Sequence, residues 1–314
     1  MAEPLRRRLR AQALNALTRV AGSPLDPLLG VALAAGARAA QRTSAARRIA
    51  RNLELAYGAE LDAPTRKALT RGVLTHTARL VREWLWMARA ARSERERERV
   101  GRWIDASVEF DASCDELRRS AVRGRGVLIV TAHLGNWELL AAALRRAGLD
   151  GAVVGLRKRN DSSADWLVGL RAGLGVRSLP QDSSPREVLN VLREGATLGL
   201  VCDLHARRLD NVDAPFFGRL APTMSAPAAL ARASGLPLTP VRCVREGARY
   251  RIRVDEPLEL AASADKRAAA LDLLTRMNAV FERWIRAAPE QWAWHQRRWP
   301  ADEHVERASE SEGG

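Results

Sequence analysis

Short apolar runs of strand-forming residues alternate with helix-like segments over the last two thirds of the sequence, and this alternation constrains the fold more than any other feature. Three runs are VLIVTA (127–132), AVVGL (152–156) and TLGLVC (197–202). Each is about the length of a buried strand, and segments with apolar residues at helical spacing separate them. Strands that alternate with helices in this way predict a mixed, mostly parallel sheet flanked by helices, in the α/β class.

Two ionisable side chains follow the first of these strands, in TAHLGNWELL (131–140). His133 lies just beyond the strand, and Glu138 lies in the first turn of the next predicted helix. Ligands of open α/β sheets bind at the carboxyl ends of the strands. We expect the two side chains to meet there, with Glu138 fixing the tautomer of His133 and raising the basicity of its other ring nitrogen.

The surrounding sequence offers no protein nucleophile for this pair. No GxSxG segment occurs, and Cys114 and Cys202 stand in no recognisable motif. The spacing does not match HExxH, so we predict no metal site. A base and its orienting carboxylate suit direct transfer, in which the base takes a proton from a substrate hydroxyl. A histidine that caps a helix beside a surface glutamate is the alternative that spacing leaves open.

HLGNWE (133–138) resembles the HX4D/E motif of the lysophospholipid acyltransferase superfamily, in the form found in the late lipid A biosynthesis acyltransferases, the lauroyl and myristoyl transferases. Further segments that resemble this family follow the family's order along residues 45 to 300. They are RRIARNLELAYG (47–58), RKRN (157–160), Arg171 with Gly175, Asp203, APFFGRLAPT (214–223) and PEQWAWHQRRWP (289–300).

The resemblance implies a glycerol-3-phosphate acyltransferase-like fold with an N-terminal helical segment. It implies an enzyme that moves a fatty acyl chain from an acyl thioester, on acyl carrier protein or coenzyme A, to a hydroxyl of a lipid A precursor or similar glycolipid. His133 would be the general base and no covalent intermediate would form. The thioester is a substrate, and no further cofactor is implied. Phosphatidylinositol mannosides and aminolipids are the alternative acceptors.

The same resemblance implies roles for further residues. Backbone N–H groups near Gly135 and Asn136, or an arginine of the 157–159 cluster, would stabilise the oxyanion. Phe216 and Phe217 either line an acyl-chain groove or pack in the core. The residues expected to bind substrate are Gly135, Asn136, Arg157, Arg159, Asn160, Arg171 and Asp203.

The net charge of +14 is concentrated at the N-terminus, where residues 1–51 carry ten arginines against Glu3 and Asp26. Apolar residues at helical spacing accompany this charge, at Leu5, Leu9, Ala13, Leu17 and Val20. The pattern is typical of a basic amphipathic helix on a membrane surface. Without a secretory signal or a long apolar span, it predicts peripheral or monotopic attachment. The resemblance to the lipid A acyltransferases implies that the membrane is the inner one and that the protein lies at its cytoplasmic face. Anionic lipid and an acidic carrier protein are the expected partners.

We divide the chain into a basic helical membrane-surface segment (1–100), an α/β acyltransferase core (101–300) and a disordered tail (301–314). The charge alone would also fit a nucleic-acid-binding protein. Aromatic residues make up only 5% of the chain, and no recognition motif interleaves stacking residues with the basic stretches, so we expect no nucleic-acid partner.

Overall fold

The computed structural model describes residues 2–122, 124, 126–155, 162–205 and 210–299. The α-helices are α1 (Ala2–Val20), α2 (Asp26–Ala40), α3 (Ser44–Tyr57), α4 (Ala63–Met87), α5 (Glu94–Ser107), α6 (Asp115–Val122), α7 (Trp137–Arg146), α8 (Ser162–Gly173), α9 (Pro185–Arg193), α10 (Ala226–Ser234) and α11 (Lys266–Ala287). The strands are β1 (Val108–Phe110), β2 (Val127–Thr131), β3 (Gly151–Gly155), β4 (Arg177–Pro180), β5 (Thr197–Val201), β6 (Asn211–Phe216), β7 (Arg219–Met224), β8 (Leu238–Glu246) and β9 (Arg249–Val254).

Seven strands form one mostly parallel sheet in the order β1-β9-β8-β2-β5-β3-β4. Every neighbouring pair is parallel except β8 and β9, which are antiparallel. Helices cover both faces, which explains why the central strands are apolar along their whole length rather than alternately polar. The α/β class and the flanking helices predicted from the sequence are therefore confirmed.

The central strand β2 belongs to two cores at once, because successive side chains of a strand point to opposite faces. Leu128 and Val130 pack in one core with residues of α3, α4, α9 and α11. Val127 and Ile129 pack in a second core with residues of α5, α7 and α8. All five residues of β2 are buried, so the strand is held rigidly where it delivers the following segment to the sheet edge.

The segment between β5 and α10 forms a separate two-stranded sheet. It contains the β6–β7 hairpin, which turns through Phe217 and Gly218. Both turn residues have positive φ, 51° and 69°, as the tightest hairpin turns require. The buried Arg298 donates to the carbonyl of Pro222 (2.5 Å) and to Thr223 Oγ1 (3.0 Å), so a residue far along the chain holds the hairpin in place.

The N-terminal helices share a core with the sheet. Ile49 and Leu53 of α3 and Val73 of α4 pack in the same cluster as Leu128 of β2. Asp62 caps the N-terminus of α4, since its carboxylate accepts a hydrogen bond from the backbone N–H of Thr65 (2.8 Å). A boundary near residue 100 stays a prediction. The tail assigned to 301–314 lies outside the described residues.

Within the described part of the chain, every helix is either too short or too polar to cross a bilayer.

Candidate active site

His133 and Asp203 meet at the carboxyl edge of the sheet because they follow two neighbouring parallel strands at the same distance. Thr131 ends β2 and pairs with Val201, which ends β5, and each ionisable residue lies two positions further on. His133 Nδ1 is 2.7 Å from Asp203 Oδ1, and the His133 backbone N–H donates to Asp203 Oδ2 at 2.9 Å. The carboxylate of Asp203 therefore holds His133 by its ring and by its backbone.

The environment of Asp203 keeps it ionised. Its side chain is fully buried, which opposes ionisation, but the nearby imidazole and hydrogen bonds from His133 and the Trp292 indole (2.6 Å) outweigh burial and lower the pKa of Asp203 below 3.8. A carboxylate can only accept, so Nδ1 of His133 carries the ring proton and Nε2 is left as the base. One quarter of the His133 side chain is exposed, so a substrate can approach it.

The sequence predicted that Glu138 would contact His133, but the structure pairs Glu138 with another residue. Its carboxylate accepts two hydrogen bonds from Arg171 of α8, at 2.6 Å to Nη2 and 2.7 Å to Nε. Both side chains are buried. This ion pair joins α7 to α8. The carboxylate that contacts the imidazole is that of Asp203, and Arg171, expected to bind substrate, pairs with Glu138.

This buried ion pair predicts a large loss of stability when one partner is removed. In Arg171→Leu, the carboxylate of Glu138 would remain buried without a counter-charge, and we expect the free energy of unfolding in urea to fall by about 3–5 kcal/mol. The control is Arg145→Leu, which breaks an exposed pair with Asp150 and should cost about 1 kcal/mol or less. Equal losses in the two variants would contradict a structural role for the Glu138–Arg171 pair.

The backbone N–H groups of Gly135 and Asn136 are already engaged, contrary to the oxyanion role expected of them. Gly135 donates to the carbonyl of Gln291 and Asn136 to that of Cys243, each at 3.0 Å. Gly135 has φ +62°, and a Cβ there would lie 1.9 Å from the Cys243 carbonyl oxygen. The close approach that requires glycine is thus to β8. Asn136 is fully buried, so its side chain contacts other protein groups and is not open to a ligand.

Phe216 and Phe217 pack in the core, which is the second of the two roles predicted for them. Both are buried. They contact Tyr57 and the C-terminal tryptophans, with ring centroids 5.4–6.3 Å apart. This packing favours the core role, and the acyl-groove role stays a prediction.

An apolar pocket lies elsewhere, between α7 and the strands β2, β3 and β5. It is lined in part by Thr131, Trp137, Leu140, Leu144, Val153 and Gly199. The Trp137 ring also lies against the imidazole of His133, with ring centroids 4.9 Å apart. The pocket therefore begins beside the histidine, and no sequence pattern indicated it.

The remaining predicted residues, Arg157, Arg159 and Asn160, lie outside the described residues. In the sequence they follow β3, which lies between β5 and β4 in the sheet. In the described ranges, no three His, Cys, Asp or Glu side chains are grouped so that they could hold a metal ion.

Comparison with known proteins gives a consistent result. The family profile described as bacterial lipid A biosynthesis acyltransferase matches residues 14–301. A phosphatidylinositol mannoside acyltransferase of Mycolicibacterium smegmatis is 29% identical over 276 residues, covering 87% of this chain and 86% of the relative.

Two Escherichia coli proteins are also similar to this chain. A lipid A biosynthesis lauroyltransferase is 26% identical over 255 residues, covering 79% of this chain and 76% of its own length. A lipid A biosynthesis palmitoleoyltransferase is 26% identical over 211 residues, covering 64% of this chain and 62% of its own length.

Proposed function

The chain belongs to the bacterial lipid A biosynthesis acyltransferase family, and from this premise we propose that it moves a fatty acyl chain from an acyl thioester to a hydroxyl of a lipid A precursor or similar glycolipid. The donor is acyl carrier protein or coenzyme A carrying the acyl group. The observation that carries the proposal is the His133–Asp203 pair, which leaves Nε2 as a base at the ligand-binding edge of the sheet.

The reaction follows from that geometry as one transfer. Nε2 of His133 takes the proton of the acceptor hydroxyl while the oxygen attacks the thioester carbonyl, and Asp203 stabilises the imidazolium that forms. The tetrahedral oxyanion then collapses, the C–S bond breaks, and His133 returns the proton to the leaving thiolate. Arg157 and Arg159 remain the proposed oxyanion donors, since the N–H groups of Gly135 and Asn136 are taken.

The thiol closest to this pair supports transfer without a covalent intermediate. Cys202 precedes Asp203 and is buried, and burial together with the negative charge of Asp203 raises its pKa well above the ordinary value. A thiol with a raised pKa is a poor nucleophile at neutral pH. The acyl group therefore passes directly to the acceptor.

The pocket beside Trp137 is the proposed binding site for the acyl chain. Its lining is mainly aliphatic, and it begins at the ring that contacts His133. Such lining binds hydrocarbon by the hydrophobic effect. A chain seated there would present its thioester next to Nε2.

The α1 and α2 surface supports attachment to an anionic membrane. Of the eight large apolar side chains exposed in the described residues, five lie between residues 9 and 31, and Leu28 and Val31 are each about two-thirds exposed. Arg8, Arg10 and Arg19 are exposed on the same helices. Apolar side chains flanked by arginines fit the headgroup boundary of an anionic bilayer.

Loss of this apolar surface should release the protein from lipid. We expect Leu28→Asp with Val31→Asp to weaken binding to vesicles containing anionic lipid by about tenfold or more, because two aliphatic contacts are replaced by charges that anionic lipid repels. Co-sedimentation with vesicles measures this. Leu271→Asp, at an exposed leucine of α11, is the matched control and should bind as the unmodified protein does. Equal binding by all three proteins would overturn this assignment of the membrane surface.

The function is tested by incubating the full chain with a radiolabelled acyl thioester and acceptor lipid in vesicles. The two donors, acyl carrier protein and coenzyme A, are compared in separate reactions. The two acceptors, a lipid A precursor and a phosphatidylinositol mannoside, are compared in the same way. Labelled lipid in at least one combination is the expected result, and no transfer in any of them would refute the proposal.

A further inference from the structure

One face of α4 holds the segment HLGN (133–136) through three side chains. His76 Nε2 lies 3.3 Å from the carbonyl oxygen of Gly135, and burial lowers the pKa of His76 to about 4, so the neutral ring donates this hydrogen bond. Glu83 and Trp84 both contact the side chain of Asn136. Positions 76 and 83 lie two turns apart and so share a face of the helix.

Glu83 is a buried carboxylate that the proposed mechanism does not use. Its Oε2 accepts from Asn136 Nδ2 (2.9 Å) and from the Tyr250 hydroxyl (2.6 Å), and its Oε1 accepts from Arg245. Burial of Tyr250, reinforced by the negative charge of Glu83, raises the pKa of the phenol, so it remains a donor. Glu83 therefore collects three donors from α7, β8 and β9 at one point.

The carboxylate fixes which way the Asn136 amide faces. Since a carboxylate only accepts, it requires the NH2 end of the amide. Asn136 Oδ1 is then directed to the backbone N–H of Leu139 and the indole N–H of Trp84, each at 3.0 Å. In this one orientation, the Asn136 amide caps α7 and also hydrogen-bonds the indole of Trp84.

A chain of aromatic contacts leads from this point to the base. The Trp84 ring lies 5.0 Å from that of Trp137, and the Trp137 ring lies 4.9 Å from the imidazole of His133, both edge to face. Asp203 holds Nδ1 of the imidazole, while Trp137 limits how far the ring can tilt. Both contacts are needed to fix the direction of Nε2.

We propose that Glu83 is a positioning residue for acyl transfer, acting through Asn136, Trp84 and Trp137 to hold the imidazole of His133 in its reactive orientation. This inference rests on the proposed function for its kinetic readout, and a spectroscopic readout separates the two.

The kinetic test uses Glu83→Gln, Asn136→Ser and the double variant. Serine can still cap α7 but cannot reach Glu83, so it breaks the same link from the other side. We expect each single variant to lower kcat by about tenfold, since small displacements of a catalytic group have large effects, with KM for the acyl donor changed less than twofold. The double variant should be no slower than Asn136→Ser alone, because the two residues act in series.

A control variant separates positioning from general stability. Glu96→Gln removes a partly buried carboxylate of α5 that pairs with Arg89 (2.5 Å) and Arg99 (2.9 Å). It should lower Tm and leave kcat unchanged. Multiplicative losses in the double variant, or equal loss of kcat in Glu96→Gln, would overturn the proposal.

The spectroscopic test follows the ¹⁵N resonances of the five histidines, with His133 assigned by its loss in His133→Ala. We expect the His133 resonances to shift or broaden in Glu83→Gln and Asn136→Ser and to stay unchanged in Glu96→Gln. Unchanged His133 resonances in both site variants would refute positioning. If the resonances respond but unmodified protein transfers no acyl group to any acceptor, only the proposed function fails.

Discussion

Replacing His133 by alanine is expected to lower kcat for acyl transfer by about 10²–10⁴-fold, the usual contribution of a general base. Nε2 is the ring nitrogen of His133 that Asp203 leaves free, so the substitution removes the proposed base. The KM for the acyl donor should change little, because the proposed acyl-chain pocket is lined by α7 and the strands and not by the imidazole. The measurement is the initial rate of labelled lipid formation at saturating donor.

The control for His133→Ala is the same substitution at a histidine to which no role is assigned. His304→Ala, in the C-terminal fourteen residues, should retain the full rate. Only a quarter of the His133 side chain is exposed, so the substitution also removes some packing. Comparing the melting temperature of His133→Ala with that of the unmodified protein shows whether the loss of kcat comes from loss of folded protein. A variant that is folded and keeps the full rate would refute the assignment of His133 as the base.

The fold was more accessible from the sequence than the site was. Periodicity and composition located the buried strands, because both faces of the central sheet are covered and their sequences must be apolar. The β6–β7 hairpin escaped this method. Its turn places Phe217 at positive φ, an unusual conformation for a non-glycine residue, and Arg298 holds it from 75 residues away.

The orienting carboxylate escaped for a different reason. VLIVTAH (127–133) and TLGLVCD (197–203) share a form in which an ionisable residue stands two positions after a buried strand. That parallel was visible in the sequence, but it brings His133 and Asp203 together only if β2 and β5 are neighbours. Strand order depends on long-range packing, so proximity in the sequence favoured Glu138. The hydrogen-bond partners of the Gly135 and Asn136 N–H groups were hidden from the sequence for the same reason, because they come from residues beyond 240.

The second large effect is expected from Asp203→Asn. An amide has nearly the same shape, but it carries no charge and can present its NH2 group to Nδ1, which would place the ring proton on Nε2 and remove the base. Carboxylate-to-amide changes in His–Asp pairs of this kind lower kcat by up to about 10⁴-fold. We expect a loss of about 10²–10⁴-fold at pH 7 in acyl transfer. Melting should change little, since the amide oxygen can still accept from Trp292.

Glu138→Gln gives the matched comparison, since it makes the same chemical change in the buried carboxylate of HLGNWE (133–138). Its partner is Arg171, so the neutral amide would leave a buried guanidinium without its counter-charge, and the main cost falls on stability. We expect its kcat, corrected for the folded fraction, to fall at least tenfold less than that of Asp203→Asn, while its Tm falls further. The reverse ranking in kcat would restore Glu138 as the orienting residue. With the ranking expected here, the motif glutamate braces α7 against α8, and catalysis depends on the aspartate that follows the neighbouring strand.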